Sequence, residues 1–363
     1  MIVFCDNNIP LFKESLPDSV EVHTFTGREI TNQQLVESKC ELLFTRSQTK
    51  INGDLLRNSN VKLVATATSG TDHADLDYLS SSGIIFRDAK GSNANSVAEY
   101  AVYSILKWAY DNQKDINELN VGIIGYGCIG RLLVSYCFAL GMNVFVNDPP
   151  LFDRDFNFPD YATYTDLTNL IKNCDVISNH VPLCTIGNYP TYYLLNENNL
   201  KNVREGALII HASRGSVIQE SALIDLHEKK SIFTVIDVWE NEPEYNDKLA
   251  TLSMIATPHI AGHSYTGKLN GTKMMLNVFK EISGIEPNWD ILENELSKSE
   301  FKTLSEFRTR KEIMEHLDRC RDIQSDSEIF KKLSNNKMEI RSREFDNYRK
   351  NYPVRHESLR TLI

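Results

Sequence analysis

Residues 121–130, Val-Gly-Ile-Ile-Gly-Tyr-Gly-Cys-Ile-Gly, constrain the fold of this chain more than any other stretch. An apolar run feeds Gly125-x-Gly127-x-x-Gly130, and helical periodicity follows from Arg131 to Leu140. Strand, glycine turn and helix in that order form the start of a dinucleotide site. The glycines permit a tight turn, close approach of a pyrophosphate and close packing of helix on strand. The helix then directs its unpaired amides and the positive end of its dipole at the phosphates. Gly125, Gly127, Cys128, Ile129 and Gly130 are therefore the expected cofactor contacts. Val144-Phe-Val-Asn-Asp148 reads as the next strand, and Asp148 lies roughly 20 residues beyond the turn, where a carboxylate takes ribose hydroxyls. Two prolines follow it, with no adjacent arginine to receive a 2′-phosphate, so NAD is the expected cofactor.

A chain of 363 residues holds two or three domains at about 150 residues each. Hydrophobic residues make up 41%, enough for buried cores. No apolar run reaches the ~20 residues of a membrane helix, and the opening MIVFCDNNIP lacks signal-peptide features, so a cytoplasmic protein is expected. Seven cysteines, odd in number and without a close pair, argue against a disulfide framework or a metal site. The net charge of −10 disfavours nucleic acid as a partner.

Short apolar runs at 2–5, 42–45, 62–67 and 84–86 alternate with helical stretches at 33–39 and 75–81. That rhythm predicts βαβ units and a parallel sheet. Val97, Ala101, Ile105 and Trp108 recur at helical spacing over 94–110. Strands are then expected at 121–124, 144–146, 175–178, 207–211, 234–238 and 254–257, making a doubly wound sheet of six. Residues 283–293, with Gly, Pro, Asn and acidic groups, read as a linker. Residues 1–300 carry 24 basic and 38 acidic groups, whereas 301–363 carry 15 and 11, so the tail is distinct in character.

Three ionisable groups fall at expected strand ends of the second sheet, where open parallel sheets bind their ligands. Arg214 stands in Ala-Ser-Arg-Gly, Glu242 in Trp-Glu-Asn-Glu-Pro and His259 in Pro-His-Ile-Ala-Gly. Arginine grips a carboxylate bidentately. Histidine exchanges a hydroxyl proton near neutrality, and a neighbouring glutamate orients it and stabilises the imidazolium. Beside a nicotinamide, these parts suit oxidation of a 2-hydroxy acid.

Gly-x-Gly-x-x-Gly, Ser-Arg-Gly, Asp-Val-Trp-Glu-x-Glu-Pro and Pro-His-Ile-Ala-Gly, in that order, resemble the D-isomer-specific 2-hydroxyacid dehydrogenases. The segments 65–73, 92–100, 187–191, 259–272 and 344–352 resemble one branch of that family, which takes a phosphorylated 2-hydroxy acid. The resemblance spans nearly the whole chain and is looser between about 285 and 340. It implies an α/β protein: a Rossmann NAD-binding domain over 94–263 and a flavodoxin-like substrate domain over 1–93 plus 264–285. A small C-terminal α+β domain over 286–363 would hold a homodimer.

By the same resemblance Arg214 and Glu242 are catalytic and His259 is the acid/base. Asp148, Ser213, Asp237 and Gly262 contact NAD, with Val181 and Pro182 from the loop after His180. Ser47 and Thr68 touch substrate, and so does His263, where the family usually carries tyrosine. Arg46 and Lys268 are candidates for the phosphate, because a dianion calls for cationic partners. No metal is expected. Two other readings stay open: another D-2-hydroxyacid dehydrogenase, of the phosphoglycerate or glyoxylate/hydroxypyruvate type, and an NAD-sensing binding protein without catalysis.

Overall fold

The computed structural model describes residues 1–360. The chain divides into two units, Met1–Asn93 with Ser264–Glu300, and Ala94–His263 with the tail from Phe301 onward.

The first unit holds five parallel strands: β1 (Ile2–Asp6), β2 (Glu21–Phe25), β3 (Leu42–Thr45), β4 (Leu63–Thr66) and β5 (Ile85–Asp88). Their order, β2-β1-β3-β4-β5, is flavodoxin-like. β3 and β4 are buried along their whole length, as befits a parallel sheet with both faces covered. Successive residues serve opposite layers: Leu42, Phe44 and Ala65 join one cluster, Leu43 and Val64 the other. The edge strand β2, Glu-Val-His-Thr-Phe, buries only Phe25. It has no apolar run to announce it, and its pairing with β1, Ile2 opposite Glu21, is what makes it a strand.

The second unit contains β6 (Asn120–Ile124), β7 (Asn143–Asn147), β8 (Ala162–Tyr164), β9 (Val176–Asn179), β10 (Leu208–His211), β11 (Phe233–Ile236) and β12 (Ile255–Ala256). All are parallel, in the order β12-β11-β10-β9-β6-β7-β8. Seven strands replace the expected six. The extra one, β8, is a three-residue edge strand, too short to leave a periodic signal. The order reverses between β6 and β9, so the carboxyl ends there form the switch point at which such sheets bind ligands. The helix Ala94–Asp111, expected over 94–110, lies on one face against the helix Cys128–Ala139.

The region 283–293 is not a linker. The helix Tyr265–Ser283 closes on Gly284 in a left-handed cap at φ 70°, and a further helix runs over Trp289–Leu296. Leu269, Leu276, Phe279 and fully buried Leu292 join Val3 and Phe44 in the first unit's core. Apolar residues spaced on a helix outweigh the local Gly and Pro signals, and the boundary falls at 300–301 instead of 285–286. The tail, expected as a separate domain over 286–363, shares the second unit's core; its last three residues lie outside the described residues.

That tail carries the helices Arg310–Arg321, Ile323–Leu333 and Met338–Lys350, and a short parallel pair, β13 (Lys302–Thr303) with β14 (Leu359–Arg360). Phe330 is fully buried, with ring centroids 5.6 Å from Trp239 and 4.3 Å from Tyr245. Phe345 packs on the same group. Phe330→Leu removes part of this aromatic contact and is expected to cost ~1–2 kcal/mol. The midpoint of urea unfolding measures it, and an unchanged midpoint would show that the tail does not share the unit's core stability.

Candidate active site

The glycine turn follows β6 at the centre of the second sheet. Gly127 N-caps the helix Cys128–Ala139. A side-chain carbon on Gly130 would collide with the carbonyl oxygen of Gly125, so the helix sits on the turn only because Gly130 has none. At Gly127 the same carbon would meet nothing within 4 Å. Open space beside the helix's first amides fits a pyrophosphate. Val181, after β9, lies against Gly125, where an added carbon would stand 2.9 Å from Cγ1. Pro182 beside it is exposed, as are Gly127 and Cys128, while Ile129 is half-buried and Gly130 buried.

Asp148 sits at the tip of β7 and N-caps the next short helix. Its Oδ2 accepts from the Tyr126 amide at 2.7 Å and its Oδ1 from the Leu151 amide at 3.1 Å. A carboxylate offers about four acceptor sites, so both oxygens retain capacity for ribose hydroxyls. The turn and the carboxylate fit an adenine dinucleotide.

Arg214, Glu242 and His259 occupy the loops after β10, β11 and β12. Those loops are held side by side. Gly215 has no room for a side-chain carbon against the Trp239 backbone, which binds the first loop to the second. Glu242 Oε2 lies 2.8 Å from His259 Nδ1, and Oε1 accepts from the Trp239 amide at 3.0 Å. Burial pushes the Glu242 carboxyl up. The charge and hydrogen bond of His259, the Trp239 amide and the nearby Arg349 guanidinium outweigh it, leaving Glu242 below the usual carboxylate range. An ionised acceptor at Nδ1 fixes the ring and leaves Nε2 to exchange protons. Half-buried Arg214 donates from Nη1 to the Ser213 carbonyl at 2.8 Å.

Sequence reasoning missed the polar pair that supports Arg214. Asn179 and His211 end β9 and β10 and are buried. Asn179 Nδ2 donates to Ser213 Oγ at 2.9 Å and to His211 Nδ1 at 3.2 Å. His211 Nε2 therefore carries the proton and donates to the Gly215 carbonyl at 3.0 Å. Burial pushes His211 down to about 4, so it stays neutral and keeps this tautomer. A signal was present at His211, the one polar residue of the buried strand Leu-Ile-Ile-His, whereas Asn179 follows another polar residue, Ser178.

Asp237, expected as a cofactor contact, is 1% exposed, and its carboxylate anchors the histidine loop. Oδ1 accepts from Thr257 Oγ1 and the Ile260 amide, both at 2.7 Å, and Oδ2 from the Ala261 amide at 3.0 Å. Gly262 and His263 close that loop, with the His263 ring centroid 5.8 Å from that of Tyr352.

In the first unit Arg46 and Ser47 follow β3 and Thr68 follows β4. Arg46 Nη1 is buried without a hydrogen-bond partner. Burial first, and then the Arg46 charge, lower the Lys268 pKa, so the two cations lie within electrostatic reach of each other. Two crowded cations, one with an unmet donor, fit an anion. Ser47 is exposed, and the Thr68 hydroxyl donates to the Gly70 carbonyl at 3.1 Å.

Comparison with known proteins agrees with this geometry. The family model "D-isomer specific 2-hydroxyacid dehydrogenase, NAD binding domain" matches residues 97–261. Erythronate-4-phosphate dehydrogenase of Pseudomonas savastanoi pv. phaseolicola is 35% identical, over 98% of this chain and 93% of its own. The enzyme of the same name from Proteus mirabilis is also 35% identical, with the same coverage. Among solved structures, D-lactate dehydrogenase from Aquifex aeolicus with NAD and lactic acid aligns at TM-score 0.63 and 25% identity, over 78% of this chain and 96% of that one. D-2-hydroxyisocaproate dehydrogenase aligns at TM-score 0.64 and 20% identity, over 78% and 98%, which speaks for the fold alone.

Proposed function

The chain belongs to the erythronate-4-phosphate dehydrogenases, of the D-isomer-specific 2-hydroxyacid dehydrogenase family, and from this we propose how its residues divide the reaction. It is an NAD-dependent oxidoreductase that converts 4-phospho-D-erythronate to (R)-3-hydroxy-2-oxo-4-phosphooxybutanoate, a step in vitamin B6 formation. NAD, when bound, supplies the acceptor for the hydride that leaves C2.

Arg214 holds the substrate carboxylate by a two-pronged, charge-assisted contact and so fixes C2. His259 takes the C2 hydroxyl proton on Nε2, and Glu242 stabilises the imidazolium through Nδ1. The 2.8 Å pair of His259 and Glu242 beside the Arg214 loop is the observation that carries this reading. Gly125, Gly127, Cys128, Ile129, Gly130, Asp148, Val181, Pro182, Ser213 and Gly262 line the cofactor path, and Asp237, buried, holds the histidine loop. Arg46 and Lys268 take the phosphate, supported by the unmet Arg46 donor. Ser47, Thr68 and His263 complete substrate recognition, and the imidazole of His263 donates where relatives use a phenol.

Purified protein given NAD and 4-phospho-D-erythronate, with a 2-oxo acid to recycle NADH, is expected to turn over, read as the near-ultraviolet absorbance of NADH or the loss of the recycling acid. Oxidation of 3-phosphoglycerate or glycerate with none of erythronate 4-phosphate would move the substrate to another member of the family. NADH binding without any turnover would favour a sensing role.

The assembly is a homodimer through the C-terminal segment, supported by the likeness of 344–352 to that part of the family. Light scattering of the full chain is expected to give twice the 41.4 kDa chain mass, and a monomer mass would overturn the assignment.

A further inference from the structure

His259 holds φ 56°, in the left-handed region that residues with side chains seldom adopt. Such a backbone persists only where its surroundings over-determine it. Asp237 supplies one side of the restraint. Its main-chain carbonyl accepts from the His259 amide at 2.7 Å, and its carboxylate takes the amides of Ile260 and Ala261. The other side is the Ala261 carbonyl, which accepts from Ser96 Oγ at 2.7 Å and from Arg321 Nη2 at 3.0 Å. Ser96 stands on the helix Ala94–Asp111, but Arg321 ends the tail helix Arg310–Arg321. The tail thus places a charged donor on the carbonyl two residues beyond the candidate acid/base.

Arg321 is 1% exposed, so its charge has to be met inside the protein. Glu99, fully buried, lies 3.4 Å from Nη1, which also donates to the Ser96 carbonyl at 3.1 Å. The other oxygen of Glu99 accepts from the amides of Ser358 and Leu359, each at 2.6 Å. One carboxylate therefore ties the end of the tail to the arginine that grips the loop. A second contact falls on the same loop: Tyr352, its hydroxyl held by Asp326 at 2.8 Å, sets its ring against His263.

We propose that the C-terminal segment clamps the catalytic-histidine loop, with Arg321 as a positioning residue that holds His259 through the Ala261 carbonyl. The proposal rests on the reading of His259 as acid/base. It gives the tail a role within each subunit, separate from pairing two subunits.

The test uses the full chain. Arg321→Met alone strands the buried Glu99 charge and risks unfolding, so it is combined with Glu99→Gln, and Arg321→Lys serves as the conservative variant. Five quantities are read: kcat and KM for 4-phospho-D-erythronate, NADH affinity by fluorescence, hydrogen–deuterium exchange of a peptide spanning 259–263, and the thermal midpoint. The double variant is expected to bind NADH as the parent does, to lose about tenfold in kcat with little change in KM, and to exchange the 260 and 261 amides faster. Arg321→Lys, still able to donate to the carbonyl, is expected to recover most of the rate. Unchanged exchange at 260–261 overturns the clamp. So does an unchanged kcat in a variant whose loop exchanges faster. A kcat loss that lysine does not relieve and that tracks a fall in thermal midpoint overturns it too, by making Arg321 merely structural. If the parent itself does not oxidise 4-phospho-D-erythronate, the substrate assignment fails, and the exchange measurement still decides the clamp.

Discussion

Replacing His259 by glutamine lowers kcat for 4-phospho-D-erythronate by ~10²–10⁴-fold, the range that a positioned general base contributes. Glutamine can occupy the volume and hydrogen-bond to Glu242, but it has no basic nitrogen for the hydroxyl proton. The alcohol must then lose hydride while its proton has no acceptor of suitable strength. NADH affinity and far-ultraviolet circular dichroism should match the parent, because the loop is held from the backbone by Asp237, not by the imidazole. Stopped-flow rates over a pH series are the measurement. A glutamine variant with parental kcat would remove His259 from the chemistry, and a collapse of NADH binding would mean that the ring shapes the cofactor site instead.

Arg214→Leu is expected to lower kcat/KM by ~10²–10³-fold, since two charge-assisted hydrogen bonds to a carboxylate are together worth about 3–4 kcal/mol. Part of the loss should fall on kcat, because the same contact aligns C2 for reaction. Arg214→Lys keeps the charge but not the planar fork, so it should lie between leucine and the parent. Asn179 and His211 hold the loop through the Ser213 hydroxyl and the Gly215 carbonyl, and neither variant disturbs those bonds. Steady-state kinetics with varied erythronate 4-phosphate decide the matter. A leucine variant within about threefold of the parent would exclude Arg214 as the carboxylate anchor.

Much of the molecule was legible in its residues. The fully buried strands β3, β4 and β10 announce themselves as apolar runs, and the glycine turn marks the second sheet. Arg214, Glu242 and His259 could be found because each stands just past such a run. The edge strands β2 and β8 could not, since edge positions demand little apolar character. The region 283–293 misled for the opposite reason: local Gly and Pro suggest a break, while Leu292 is drawn into a core that only the folded chain creates.

The order of residues along the chain determined the dinucleotide turn, the parallel architecture and the identity of the reactive groups, because each depends on near neighbours or on short periodicities. Only the tertiary structure decided what holds those groups in place. Asn179 with His211, Asp237 with the histidine loop, and Arg321 with Glu99 and Ala261 join residues up to 222 positions apart. A buried polar group takes whatever partner packing brings within hydrogen-bond range, and spacing along a sequence carries no record of that encounter.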